Sequence, residues 1–416
     1  MVQASRSGTI VVYEISFFCV LFASVTSGSL VGRGRGLIQN ALNMGVRHNN
    51  NTVRSDCVYR RDGDDTCPGE DILFHYYTLR NTGGGGGGGE GREGYSKMQK
   101  QQIEFMSPAW LHSSGWDRSL HTVLIVHGYG GASQDYLPGA VLRDAYLNNG
   151  KYNVFMVDWG KLSAIPCYAA SVHNLKPVAK CMAVMLTHLR AAGLDVDQLT
   201  CVGHSLGAHL CGIMANYLPF RMHRIIGVDP AKPLIRNRAS SRLDSGDADV
   251  VQIIHATSKY GDLKRMGHVD FCLNGGHVQP FCANTSDTEL CGHTRSVCYL
   301  AESLDQGAAR KAVPCTRRCL QGGEGGSSYS VVNSFGQTPY VVLGQHTPDE
   351  VNGVYCVTNT DAPYCSKTSV KGSPYCCPPT SQPNTIDSVD HSMRLSEDED
   401  YNSSSDVNGH KHNKNN

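Results

Sequence analysis

The 416-residue chain carries no net charge, since lysine plus arginine and aspartate plus glutamate both number 37. Without a long-range field of either sign, nothing in the charge balance draws it to nucleic acid or to an anionic membrane. It also lacks an apolar run long enough to span a bilayer, which takes about 20 residues. The best candidate, residues 15–25 (ISFFCVLFASV), has instead the length of a signal-peptide core, with Val25 and Ser27 as the small residues ahead of a cleavage site. Residues 1–27 are therefore expected to be a signal peptide, with a buried core helix as the alternative. Zinc-finger spacing is missing as well: Cys315 and Cys319 have no second Cys or His pair nearby. Neither a metal nor another cofactor is expected.

What the chain has in excess is cysteine, 17 in all and denser toward the C-terminal half. That number suits disulfides formed in an oxidising compartment, so a secreted, extracellular protein is expected. Loss of Cys19 with the signal peptide would leave an even number to pair. Residues 28–66 are expected to form a low-complexity leader of propeptide character, because 28–56 are rich in Gly, Asn and Arg and show no apolar periodicity. Folded structure is expected over 67–366, interrupted by a glycine-rich loop at 83–94 that lacks the following helix with its Lys that a phosphate cradle requires. The remainder, 367–416, is polar and reads as a solvated tail, its His410 and His412 included.

Short apolar runs at 73–79, 122–126, 153–158, 199–202, 224–228 and 250–255 read as strands, with helical patterns between them at 174–192 and 205–217. Strand and helix in alternation call for an α/β fold, a largely parallel sheet covered by helices on both faces. Chemistry in such sheets gathers beyond the carboxyl ends of the strands.

At one such end stands Gly203-His204-Ser205-Leu206-Gly207, directly between an apolar strand and a helix. This is the pattern of a nucleophile elbow, whose glycines relieve crowding so that the serine can hold a strained backbone and expose its hydroxyl. The alternative, a helix-capping serine, does not need both glycines. A serine nucleophile requires a base and an acid. Asp229, closing the next strand before Pro230, is the acid of choice; Asp244, Asp247 and Asp249 lie in a polar loop and are expected to be solvated. For the base, His255, His268, His277 and His293 all follow in order. Local pattern leaves the choice open between His255, at a strand end, and His293, between two cysteines.

The segments VHGYGG (126–131), VDWG (157–160), VGHSLGAHL (202–210), IIGVDPAKP (225–233), RLDSGDADVVQIIHATS (242–258), GHVDFCLNGGHVQPFC (267–282), CGHTRSVCYLAES (291–303) and APYC (362–365) together resemble the animal pancreatic-lipase superfamily. Within it the chain is most similar to the insect and venom phospholipase A1 branch. The resemblance implies an α/β-hydrolase fold, a catalytic set of Ser205, Asp229 and His293, and an oxyanion hole made by the backbone N–H groups of Tyr129 and Leu206. Amide donors placed where the carbonyl oxygen becomes negative also follow from the mechanism of acyl transfer.

It further implies disulfides Cys67 to Cys167 and Cys282 to Cys291, the second closing a flap of eight residues, ANTSDTEL. So short and polar a flap points to phospholipase A1 rather than to an interface-activated triglyceride lipase. Other ester hydrolysis, of triacylglycerol or simple carboxylic esters, is the alternative, and a non-catalytic relative of the yolk-protein kind a third reading. The expected partner is a phospholipid or other lipid ester at an interface. No colipase-like protein partner is expected, because no lipid-binding β-sandwich can be fitted after Cys365. Asn284-Thr285-Ser286 is an N-glycosylation acceptor in the flap, and Asn50 and Asn402 head similar triplets. Departures from the family pattern are Lys232, Gly292, Cys272 and Cys298, the two cysteines forming either a bridge or a pair of buried thiols.

Overall fold

The computed structural model describes residues 57–61, 66–81, 96–131, 137–315 and 340–359. The expected signal peptide, most of the leader, the glycine-rich loop, the tail, APYC and the triplets at Asn50 and Asn402 lie outside them.

Among the described residues the strands form one sheet in the order β10-β9-β11-β8-β7-β6-β5-β3-β4-β1-β2. Its centre is parallel: β3 (His121–Val126), β4 (Tyr152–Asp158), β5 (Leu199–His204), β6 (Met222–Val228), β7 (Ala248–His255) and β8 (Val269–Leu273), with β11 (Gly353–Val357) alongside β8. Antiparallel strands finish both edges, β1 (Leu73–Asn81) and β2 (Ser96–Gln102) at one and β9 (Lys311–Pro314) with β10 (Val341–Val342) at the other. The six strands expected from the sequence are all present.

The central strands are apolar at nearly every position because both faces are covered. On β3, Leu124 and Val126 face one hydrophobic cluster while Val123 and Ile125 face the other; Phe155 and Val157 alternate with Val154 and Met156 on β4 in the same way. Of the helices, α1 (Trp110–Ser113), α3 (Tyr168–Ala191) and α4 (Leu206–Ala215) pack into the first cluster. The second takes α2 (Leu137–Asn149), α5 (Thr288–Arg295) and α6 (Val297–Glu302). Two separate apolar layers, each sealed by its own helices, make the α/β-hydrolase sandwich.

Disulfides tie the periphery to this frame. Cys282 joins Cys291 as expected, but Cys67 does not join Cys167: Cys57 takes Cys167, at the start of α3, and Cys67 takes Cys181, within it. Those two helix positions are about 21 Å apart at 1.5 Å per residue, a span that the ten-residue stretch from Cys57 to Cys67 covers easily. The chain is therefore stapled to α3 twice, at Cys57 and at Cys67. Between the staples, the Arg60 amide donates to Asn174 Oδ1 (2.9 Å), Asn174 Nδ2 donates to the Val58 carbonyl (2.8 Å), and Arg60 pairs with Asp71. Residues 57–61 consequently belong to the folded unit, ahead of its expected start at Cys67. A further bridge, Cys201 to Cys211, joins β5 to α4, and Cys315 joins Cys356 at the sheet edge. Cys272 and Cys298 are disulfide-bonded, not free thiols.

Non-reducing peptide mapping should recover Cys57 with Cys167 and Cys67 with Cys181. With Cys57–Cys167 still in place, Cys67–Cys181 closes a ring of only about 24 residues, so Cys67→Ser should lower stability by roughly 3.5 kcal/mol in the chain-entropy view. Recovery of a Cys67–Cys167 peptide would contradict this arrangement.

Candidate active site

Because β5 and β6 are parallel neighbours, paired at His204 and Val228, their carboxyl ends emerge side by side. Ser205 follows the first and Asp229 the second. The Ser205 amide donates to the Val228 carbonyl (3.0 Å) and the Asp229 amide to the Ile254 carbonyl on β7 (2.7 Å), so both turns are pinned to the sheet.

Ser205 has φ 57° and ψ −121°, a conformation that a side chain disfavours, and it caps the start of α4. The crowding expected of the elbow is measurable. A Cβ on Gly203 would lie 2.3 Å from the Gly207 carbonyl oxygen, one on Gly207 would lie 2.1 Å from that of Val126, and one on Gly128 would lie 2.7 Å from the Ser205 Cβ. No larger residue fits at these three points without moving backbone.

His293, in α5, bridges the other two groups. Its Nδ1 lies 2.7 Å from Asp229 Oδ2 and its Nε2 2.8 Å from Ser205 Oγ. A charged carboxylate only accepts, so Nδ1 carries the proton and Nε2 is left as the acceptor for the serine hydroxyl. All three residues are buried. Asp229 also accepts from the Ala256 amide (2.7 Å), the Thr257 amide (3.1 Å) and the Thr257 hydroxyl (2.6 Å). Burial alone would raise this carboxyl, but the bonds and charge of His293, Thr257 and Ala256 outweigh it and hold Asp229 below the ordinary carboxylate range.

His255, the competing base, is committed elsewhere. Its Nε2 meets Asp270 Oδ1 (2.9 Å) and its Nδ1 the Asp262 carbonyl (2.7 Å), and although burial works against its charge, Asp270 raises it above an ordinary imidazole. His268 accepts the Val251 amide (3.0 Å), and His277 ends the turn after β8. Of the competing acids, Asp249 is exposed and pairs with Arg221. Asp247 is not solvated as expected: it is buried, accepts the Asp244 amide (2.8 Å), and burial pushes its carboxyl up to about 7. Lys232 turns its ammonium to the Ser258 carbonyl (2.7 Å).

Tyr129 and Leu206 are both buried beside the elbow. Leu206 is the first residue of α4, where an amide has no acceptor within its own helix. The loop bearing Tyr129 is held by His127, whose ring stacks on Trp159 and accepts its amide (3.2 Å), while the Trp159 indole donates to the His127 carbonyl (2.9 Å). VHGYGG and VDWG therefore form one unit.

Several supporting residues carried no signal in the sequence. Thr257 holds the acid. His204 donates from Nε2 to the His293 carbonyl (2.8 Å), tying the elbow to α5; burial lowers its pKa to about 3, so it stays neutral. Tyr260 lays its ring against His293, centroids 5.8 Å apart. Each acts through the fold across many residues, beyond the reach of local pattern.

A family model described as Lipase matches residues 94–327. Curated relatives include Lipase member H of Rattus norvegicus, 28% identical over 265 residues, which are 62% of this chain and 57% of that protein. Phospholipase A1 member A of Bos taurus is 30% identical over 271 residues, 61% of this chain and 58% of that protein. Phospholipase A1 of Vespa crabro is 30% identical over 264 residues, 56% of this chain and 82% of that protein. The chain thus spans somewhat over half the length of the two mammalian relatives.

The buried histidines generate an acid dependence. Burial lowers His204 from 6.5 to about 3 and His75 and His209 to about 4, so below pH 6.5 the unfolded chain takes up protons that the folded chain refuses. Their stabilising effect is complete above 6.5 and is lost as pH falls. Asp247, raised from 3.8 to about 7, works oppositely: its contribution is complete below 3.8 and fades as pH rises toward 7. With three groups against one, the melting temperature should drop steadily from pH 6.5 to about 4. A flat thermal-denaturation profile over that window would contradict the burial of these rings.

Proposed function

The chain belongs to the lipase family, and from that membership and the serine, histidine and aspartate in hydrogen-bonded series we propose that it is a secreted lipid ester hydrolase of the phospholipase A1 type. The observation that carries the reading is the relay itself, Ser205 Oγ to His293 Nε2 at 2.8 Å and His293 Nδ1 to Asp229 Oδ2 at 2.7 Å, set in a strained elbow.

In this reading Ser205 Oγ attacks the ester carbonyl carbon as its proton passes to His293 Nε2. Asp229 stays ionised and stabilises the imidazolium. The carbonyl oxygen, now negative, is received by the amides of Leu206 and Tyr129, each donor typically lowering the barrier by roughly 3 kcal/mol. Collapse breaks the carbon–oxygen ester bond, and His293 returns its proton to the departing alcohol. Water then attacks the acyl-serine with His293 again as base, releasing the fatty acid and restoring Ser205.

Substrate class rests on the flap. Cys282 and Cys291 close it, their Cα atoms 5.7 Å apart, and α5 begins within it at Thr288. A segment so short offers no long amphipathic lid to lie across the groove, which leaves room for a polar head group. Asn284 is exposed there, and a glycan on it would keep the flap in water. Secretion is supported by the disulfides; among the described residues no helix is long and apolar enough to cross a membrane. The domain limits we propose are a folded unit from Cys57 onward, preceded by a signal peptide and leader and followed by a polar tail.

Ser205→Ala and His293→Ala should each reduce turnover by at least ~10³-fold while the fold persists. Inactivation by His255→Ala with His293→Ala still active would reverse the choice of base. On mixed-chain phosphatidylcholine the first products should be the sn-1 fatty acid and a 2-acyl lysophospholipid, with little increase in rate when substrate aggregates. A steep interfacial jump with triglyceride preferred would make the protein a neutral lipase, and sn-2 release would exclude the A1 assignment.

A further inference from the structure

The flap is bound to the site at two points by its own carboxylates. Asp287 uses both oxygens: Oδ1 accepts the Leu290 amide (3.0 Å) and so caps α5, the helix that carries His293, while Oδ2 accepts the Tyr260 hydroxyl (2.8 Å) and meets Lys259 Nζ (3.3 Å). Glu289 Oε2 accepts the amides of Ser258 (3.1 Å) and Lys259 (3.0 Å). Both carboxylates thus grip one stretch, residues 257–261.

That stretch touches both ends of the His–Asp bond. Thr257 supplies an amide and a hydroxyl to Asp229, and its hydroxyl oxygen in turn accepts the Gly261 amide (3.0 Å). A Cβ at Gly261 would lie 2.3 Å from Asp229 Oδ1, so the backbone there is pressed against the acid. Tyr260 is buried with its ring beside His293, and its carbonyl accepts the amide of Lys232, three residues past Asp229 (2.8 Å). The closing pieces are therefore contiguous from flap carboxylate to catalytic imidazole.

We propose that the flap is a clamp on the catalytic pair, in which Asp287 and Glu289 fix the 257–261 stretch so that Tyr260 keeps the His293 ring, and Thr257 the Asp229 carboxylate, in register. Tyr260, Asp287 and Glu289 are positioning residues in this scheme; they act through His293 and Asp229, so it rests on the triad assigned above. Charge suits the task. Burial would raise the Asp287 carboxyl, but the Leu290 amide, Tyr260 and Lys259 outweigh it and keep it ionised. The clamp also accounts for a flap too short to cover the groove yet rich in acids: its side chains reach toward the histidine, not across the substrate.

Tyr260→Phe separates the hook from the helix cap, since the ring and the Asp287–Leu290 bond both remain. With a short-chain, water-soluble nitrophenyl ester, kcat should fall about tenfold, the worth of one charge-assisted hydrogen bond, with KM within about twofold of wild type. Glu289→Ala should act similarly, and Glu289→Gln, which keeps an acceptor for both amides, should recover most of the loss. A second readout does not need turnover: the low-field proton resonance of His293 Nδ1–H should be sharp in wild type and in Glu289→Gln, and broadened by exchange in Tyr260→Phe and Glu289→Ala. Unchanged kcat and unchanged resonance in Tyr260→Phe and Glu289→Ala would overturn the clamp. So would a loss confined to KM, which would make the flap a substrate contact. Wild type that fails to hydrolyse any ester would sink the proposed activity, while the resonance comparison would still decide the clamp.

Discussion

The architecture of the site follows from one costly requirement: a carboxylate, Asp229, is held charged at a point fully removed from water. Charge in such a place survives only where donors replace the lost hydration. The Ala256 and Thr257 amides, the Thr257 hydroxyl and the His293 ring supply them. Meeting that demand fixes the loop after β7, excludes a side chain at Gly261, and sets the tautomer of His293. The serine hydroxyl then has a single acceptor facing it.

A second constraint is steric and sits one strand away. Gly128, Gly203 and Gly207 leave the elbow with no room for a Cβ, because β3, β5 and α4 converge there within van der Waals contact. The Cys201–Cys211 bridge holds the same strand to the same helix. Rigidity on this side and hydrogen bonding on the other meet at the His293–Ser205 contact, where a shift of a fraction of an ångström changes reactivity.

These two constraints differ in how far they are written into local sequence. Most of the crowding at the elbow comes from five consecutive residues between a strand and a helix, so the strained turn at Ser205 was legible from pattern, and the strand-end position of Asp229 from the apolar run before it. His293 was not separable from His255 without the family resemblance, since each is a histidine near a strand end or turn. The structure shows why the decoy is convincing: His255 has its own buried carboxylate, Asp270, but no serine. Asp247 misled in the opposite sense, being buried in a run of polar letters. The pairing of Cys67 failed because its partner lies on a helix face whose distance from Cys167 is a property of the helical rise. Of the sheet, β2 and β8 to β11 were not among the six strands expected: β2 is mostly polar (SKMQKQQ), β8 to β11 are short, and β8 carries a buried Asp270 that breaks its apolar pattern. Thr257, Tyr260 and the flap carboxylates acquire meaning only once chain segments about thirty residues apart are brought together.

The double stapling of the Cys57–Cys67 stretch to α3 alters what proteolytic maturation would mean for this molecule. A protease cutting upstream of Cys57 removes nothing that the two bridges hold. One cutting inside the stretch, between the two cysteines, leaves two polypeptides that remain a single covalent molecule, the upstream piece held to the rest by the Cys57–Cys167 bridge alone. Such a nicked form would migrate as the intact chain until reduced, so that cleavage and release become separate events, the second under the control of the surrounding redox potential.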